Sequence, residues 1–353
     1  MKKRIKTAAA CSLLALLIFT AAGCRTAVSF EAVQPAEIDM SDYRTLGVLD
    51  FAEYELSRFS SGGYILFEFL LNSGYRPSFE DRFISSEIAR YTTRNVVRTL
   101  ERTDYFQVIP PAQLRNYLTG IASVRYDGER LRKTFGIDAL IIGSIEDIHR
   151  REYVRERSRW VSTDEEDEQV LVRTKYLVQE AYLEISYSVV SVRDGRILAT
   201  KRLDGRRSTE TEIPDGDVES FRAPSMLPMY RRIIDDFMPE VRDQLAPRTV
   251  REVRRLLRDP LDDPRMEEAD DMAKDGLHRR AADSFLNIWY DTRNYAAGYN
   301  AAILFEVIGE LDRAASLMRE VAEQTGESRA YREANRLIQA REDYYRALEQ
   351  LRE

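Results

Sequence analysis

Few side chains in this sequence are placed to do chemistry, and the reactive one is a thiol. Cys24 directly follows Ala21-Ala22-Gly23, and Cys11 is the only other cysteine in the 353 residues. Small side chains leave the backbone open to a peptidase, and a thiol is the group that can carry a diacylglycerol thioether. The two histidines, His149 and His278, have no ligand partners at metal-binding spacing. No phosphate-binding glycine loop, nucleophile elbow or Ser/His/Asp set is present. Asp and Glu pairs abound because the whole surface is charged, so they point to no acid–base couple. These residues predict a protein that is not an enzyme, with no catalytic residues, metal site or cofactor.

Cys24 must be positioned by the segment before it. Lys2, Lys3, Arg4 and Lys6 precede an apolar run from Thr7 to Ala22, shorter than the about 20 residues that a helix needs to span a bilayer. A basic start, a short apolar stretch and small residues at its end make a secretory signal over 1–23. The end of that signal resembles the bacterial lipobox, with Ala21 where a leucine is usual. The resemblance implies a lipoprotein acylated on Cys24 (palmitate among its chains) and held to a membrane facing the periplasm. Arg25 is not the aspartate that marks inner-membrane retention in enteric bacteria, so the outer membrane is the expected address. Cys24 is then the sole thiol of the mature chain, and no intramolecular disulfide can form. Loss of the four basic signal residues takes the formal charge from −7 to −11, a poor match for nucleic acid. Small and polar residues over 24–41 read as a tether.

Residues 42–245 alternate strand and helix signals. Leu46 to Phe51 is a short apolar strand. Phe83 to Arg102 has apolar residues at helical spacing, and Tyr105 to Ile109 is a strand closed by Pro110 and Pro111. Helices are predicted from near Ala112 and over Glu129 to Phe135, then strands over Ala139–Ile145, Tyr176–Val192 and Arg196–Arg202, and a helix over Met226–Leu245. Asp194-Gly195 marks a hairpin turn, and Gly143 inside a strand marks a close backbone approach or a bulge. The order β-α-β-α-β-β-β-α predicts an α/β sheet with packed helices.

The order LGVLDF, YFQVIPPAQL, FGIDALIIGSIEDI and LEISYSVVSVRDGRILATKRLDG resembles the curli-secretion lipoprotein superfamily. That superfamily also holds the lipoprotein activators of penicillin-binding proteins (a CsgG/LpoB-like domain), and its core is similar to the N-terminal domain of TolB. The resemblance covers about residues 43 to 207 and implies a protein that recruits or regulates another envelope protein, or an oligomeric secretion-type outer-membrane lipoprotein. Pore-forming members put apolar strand faces into lipid. The equivalent stretch here, Arg150 to Lys175, alternates Arg155, Arg157 and Arg159 and ends in five acids, Asp164 to Glu168. An arginine at mid-bilayer costs about 2–4 kcal/mol, so the hairpin is expected to be a water-exposed arm. The apolar stretch Gly63 to Leu71 is expected to pack on its own domain.

Residues 248–353 are helix-favouring and repeat with an offset of 33. Ala269 matches Ala302, Gly276 matches Gly309, Ala281 matches Ala314, Phe285 matches Met318 and Ile288 matches Val321. The pattern resembles tetratricopeptide repeats, with Ser328 to Glu353 capping one end and Arg248 to Arg258 the other. That resemblance implies a concave groove lined by the first helix of each pair. The partner-binding residues it puts there are Met266, Asp270 and Lys274 in one row and Tyr299, Ile303, Glu306 and Val307 in the next, with Tyr299 as an exposed aromatic anchor. The expected partners are the membrane, through the lipid on Cys24, an envelope protein, and a second copy of the chain.

Overall fold

A computed structural model describes residues 26–54, 79–118, 128–162, 169–214, 217–259 and 262–352. Cys24, the apolar run Tyr64–Leu71 and the acids Asp164–Glu168 lie outside the described residues. The chain forms two compact units. One comprises residues up to Pro35 together with Arg248–Glu349, and the other Ala36–Pro247 with Gln350–Glu353.

The second unit is mixed α/β. In chain order it holds β2 (Thr45–Val48), α1 (Phe79–Glu101), β3 (Gln107–Ile109), α2 (Pro111–Leu118), α3 (Gly128–Phe135), β4 (Ala139–Ser162), β5 (Gln169–Ser191), β6 (Ile197–Glu212) and α4 (Leu227–Leu245). The sheet order is β3-β2-β4-β5-β6. β2 pairs parallel with β3 and β4, while β4, β5 and β6 run antiparallel. One face packs on α1 and α4 through Leu46, Ile88, Ile141, Leu183, Tyr230 and Ile234. The other carries a smaller core of Ile109, Leu114, Leu131, Ile137, Leu140 and Val192.

The predicted strands are right in place and short in extent. β4 and β5 run together from Ala139↔Ser191 to Ser162↔Gln169, with one register shift between Ile145 and Asp147. β6 follows β5 as far as the pair Tyr176↔Glu212. Beyond it the arm is a two-stranded ribbon. Sequence periodicity stops where burial stops: β5 alternates buried and half-buried residues from Gln179 to Val189 and is exposed at its start. The outer part is held by its ladder and by charge, which leave no hydrophobic pattern to read.

Local chemistry at the parallel end explains the most specific stretch of the sequence. Gly136 takes a left-handed φ of 68° at the exit from α3, open to glycine at no steric cost. Two residues on, the Asp138 carboxylate accepts hydrogen bonds from the backbone N–H groups of Arg44 and Thr45 at 3.1 and 2.9 Å, fixing β2 beside β4. Thr93 on α1 accepts the Phe51 N–H at 2.9 Å. That bond lays the Phe51 ring over Gly143, where a Cβ would overlap it. The close approach expected at Gly143 is thus a strand–aromatic contact. Gly195 has φ 70° in the β5–β6 turn, as its sequence context demands.

The first unit is helical, with a two-stranded sheet: β1 (Ala27–Gln34), β7 (Arg248–Arg255), α5 (Pro264–Lys274), α6 (His278–Thr292), α7 (Tyr295–Val307), α8 (Leu311–Thr325) and α9 (Ser328–Leu351). The equivalent glycines 276 and 309 both take positive φ, 78° and 81°, between paired helices. The matched residues Ala269 and Ala302, Ala281 and Ala314, and Phe285 and Met318 are all fully buried.

Two expectations are corrected here. Ala27–Gln34 is not a tether, and Arg248–Arg258 is not a helical cap. The two segments pair antiparallel from Ala27↔Arg255 to Gln34↔Arg248, so the α/β unit is an insertion between the strands of a ribbon. The inward positions of β7 include Glu252 and Arg254, and charged inward residues erase the apolar alternation that would have marked the strand.

Gly143→Val is expected to lower unfolding free energy by about 1–3 kcal/mol through overpacking, read by urea denaturation. Adding Phe51→Ala should recover part of that loss by emptying the ring's place. If Gly143→Val is as stable as the wild type, the contact does not constrain the sheet.

Candidate docking surface

The predicted groove residues separate into two sets. Met266, Asp270 and Lys274, one turn apart on α5, line a cavity of about 350 Å³. α5 starts where the Asp263 carboxylate accepts the Arg265 N–H and Pro264 takes the first helical position, a strong start signal. Met266 forms an apolar wall and is 5 % exposed. Asp270 accepts from the Thr26 hydroxyl at 2.7 Å and pairs with Lys274 at 3.0 Å. The carboxylates of Asp270 and Asp271 raise the Lys274 ammonium above its ordinary value through hydrogen bonds and charge.

Sequence reasoning missed the residues that complete this cavity. Thr26 stood in the supposed tether, and Asp259, Asp262, Glu267 and Asn300 carried no motif. Asp259 accepts from Asn294 and from the Asp263 N–H at 2.8 and 2.7 Å, which bends the approach to α5. Five carboxylates line the cavity against two cations, Arg258 and Lys274. Its charge therefore favours a cationic group.

The other set is not a groove. Tyr299, Ile303 and Glu306 are 4 %, 1 % and 3 % exposed, and Val307 is half-buried against the helical core. The expected exposed anchor at Tyr299 is corrected: Arg329 covers its ring at 5.1 Å, and burial raises its phenol above the usual value. The cause is α7 itself, which is buried from Ala296 to Glu306, as a helix enclosed on all sides must be. The β7 strand and the segment after it contact α7 through Arg254 and Leu257. Asn300 accepts the Leu257 N–H at 2.6 Å and donates to the Leu257 carbonyl at 2.9 Å.

Glu306 is engaged rather than available. Arg254 of β7 donates Nε and Nη2 to its two oxygens at 3.1 and 3.0 Å. Arg336 of α9 donates Nη1 and Nη2 at 2.7 and 2.6 Å. Both oxygens thus accept two bonds each in fork geometry. Arg254 is also held by Glu252, and Arg336 by Glu333. Burial alone would lower both guanidinium values, but the hydrogen bonds and charge of Glu306 outweigh it and raise them.

The arm presents a second surface. Arg155 and Arg157 of β4 both reach Glu210 on β6, at 3.0 and 2.6 Å. Arg151 and Arg155 lie over the Tyr153 ring, Arg157 over Tyr176 and Arg206 over Tyr182. His149, exposed on β4, stacks on Tyr182 and pairs with Asp147 at 2.8 Å. Among the described residues no group of three histidines, cysteines or carboxylates is arranged to hold a metal ion, and no helix is long and apolar enough to cross a membrane.

No family model and no curated protein matches this chain. Among solved structures it is similar to a dodecameric PelC variant from Paraburkholderia phytofirmans, at 10 % identity over 62 % of this chain and 98 % of that one, with a TM-score of 0.27. Lipoprotein GNA1162 from Neisseria meningitidis matches at 9 % identity over 56 % and 99 %, with a TM-score of 0.26. The hypothetical protein CT253 from Chlamydia trachomatis matches at 9 % over 57 % and 98 %, with a TM-score of 0.23. Likenesses this distant assign no role.

Glu306→Ala is expected to cost up to about 3–5 kcal/mol, since it removes the buried carboxylate shared by two half-buried guanidinium groups. Replacing the triad together (Arg254→Met, Glu306→Leu, Arg336→Met) should cost much less. Denaturant melts of both variants check this. Equal losses in the two would show that packing, not charge, is what Glu306 supplies.

Proposed function

We propose that this chain is a lipid-anchored adaptor of the bacterial envelope that docks another envelope protein through its helical unit. The observation that carries the reading is the position of the acidic cavity. Thr26, two residues after Cys24, is hydrogen-bonded to Asp270 in its wall. Two residues span at most about 7 Å, so a lipid on Cys24 would hold the cavity close to the bilayer surface. The excess of carboxylates there would suit a partner that brings a basic side chain. The mixture of Met266, Phe285 and carboxylates suits a protein segment with a basic and an apolar side chain rather than a small metabolite.

Finer assignments belong to the same reading. The paired helices with left-handed glycines at 276 and 309 support a tetratricopeptide-like unit. The strand order and the Gly136–Ser144 stretch support a CsgG/LpoB-like α/β unit. The Arg–Glu210 pairs support an arm that faces water, and Arg25 supports an outer-membrane address.

Two measurements test the proposal. Cys24→Ala should abolish metabolic labelling with palmitate and release the protein from membranes; labelling that persists refutes the anchor. Asp262→Lys with Glu267→Lys should leave the circular dichroism spectrum unchanged and cut the envelope partner recovered by crosslinking and pull-down at least tenfold. Unchanged recovery from a folded variant removes the cavity as the docking site.

A further inference from the structure

Two helices of this chain carry opposite charges at the same repeat. On and just after α1, Arg90, Arg94, Arg98 and Arg102 recur every four residues, and all four are exposed. On and just after α5, Glu267, Asp271 and Asp275 recur every four residues and are exposed as well. One step before them stands the capping residue Asp263. The 13 residues from Arg90 to Arg102 hold four arginines and one acid, Glu101. The 13 from Asp263 to Asp275 hold six acids and two cations, Arg265 and Lys274. The first stretch is therefore +3 and the second −4.

Most of this charge is uncommitted. Arg90 is held by Glu87, and Asp271 holds Lys274 at 2.8 Å. Among the described residues no carboxylate pairs with Arg94, Arg98 or Arg102, and no cation pairs with Glu267 or Asp275. Apolar surface adjoins each row. A groove of about 610 Å³ beside the arginines has Val97, Pro110, Pro111 and Ala112 in its wall, together with Asp50, Glu87 and Glu101. Two residues past Asp275, Leu277 is 42 % exposed.

Four residues of helix rise about 6 Å, so the two rows share one pitch. An ion pair made at one step is repeated at the next. Rows of four-residue spacing lie along one another when two helices cross at about 50°. We propose that α5 of one copy docks antiparallel on α1 of a second copy. Glu267 then meets Arg102, Asp271 meets Arg98 and Asp275 meets Arg94, and Leu277 reaches the proline wall of the groove. The contact joins two different surfaces, so it is head-to-tail and propagates into a ring or an open chain. Exposed ion pairs are individually weak, and salt screens them, so association is concentration-dependent and lost at high salt. Asp271 and Asp275 do not line the acidic cavity. Self-association of the purified chain is thus read separately from recovery of an envelope partner.

The test is sedimentation of the full chain purified in excess detergent, over a range of protein concentrations. The wild type should associate at about 50 mM salt and dissociate toward monomer at about 500 mM. Reversing the arginine row (Arg94→Glu, Arg98→Glu) or the acid row (Asp271→Lys, Asp275→Lys) should each weaken association at least tenfold, with an unchanged circular dichroism spectrum. An equal mixture of the two reversed proteins should associate like the wild type, since the Lys row of one meets the Glu row of the other. If one reversal does not fold, the other and a chain bearing both, which should self-associate again, carry the test. A wild type that is monomeric at every salt and protein concentration overturns the proposal. So does association that either folded reversal leaves within twofold of wild type, or a mixture that restores nothing.

Discussion

The helical unit depends on one carboxylate. Glu306 sits at the end of a helix buried on all sides and takes four hydrogen bonds from two arginines, one on β7 and one on α9. A single buried carboxylate would be too costly to desolvate, and a single guanidinium beside it would leave acceptor capacity unused. Two arginines satisfy both oxygens, and each is itself backed by a second glutamate. The arrangement works only if a β-strand, a central helix and a terminal helix meet at one point. It specifies where the ribbon lies on the helices, because an apolar contact could slide and a fork-on-fork contact cannot.

Tyr299 and Ile303 are interior, with Arg329 of α9 over the Tyr299 ring. What stays open is the end of the stack, where Met266, Asp270 and Lys274 meet Thr26 and Asp259. Thr26, next to the start of β1, is tied to this end by its hydrogen bond to Asp270.

The α/β unit solves a different problem. Its core is ordinary aliphatic packing, but β4 and β5 continue far past it. A bare two-stranded ribbon is marginal in water. Here charge-pairing across strands and guanidinium groups over Tyr153, Tyr176 and Tyr182 supply what burial does not, each contact contributing on the order of 0.5–1 kcal/mol at an exposed site. The result is an arm whose exposed side chains are mostly charged.

By itself the sequence determined the elements whose signal is local. Periodicity placed α1, α4 and the inner strands, the turn residues Gly195, Gly276 and Gly309 were legible because only glycine takes those φ values freely, and the 33-residue offset marked equivalent buried positions. Absence of catalytic motifs, the lipobox-like segment and the charge of the arm are likewise linear properties. Only the tertiary structure decided the rest. Ala27–Gln34 becomes a strand because Arg248–Arg255, more than 200 residues away, pairs with it. Glu306 and Arg254 look like surface residues until the fold brings their charges together, burying the first and half-burying the second. Tyr299 had the spacing of a groove residue but not its exposure, because exposure depends on what a distant segment covers. Local pattern fixes conformation, whereas burial and ion pairing depend on contacts that no window of the sequence contains.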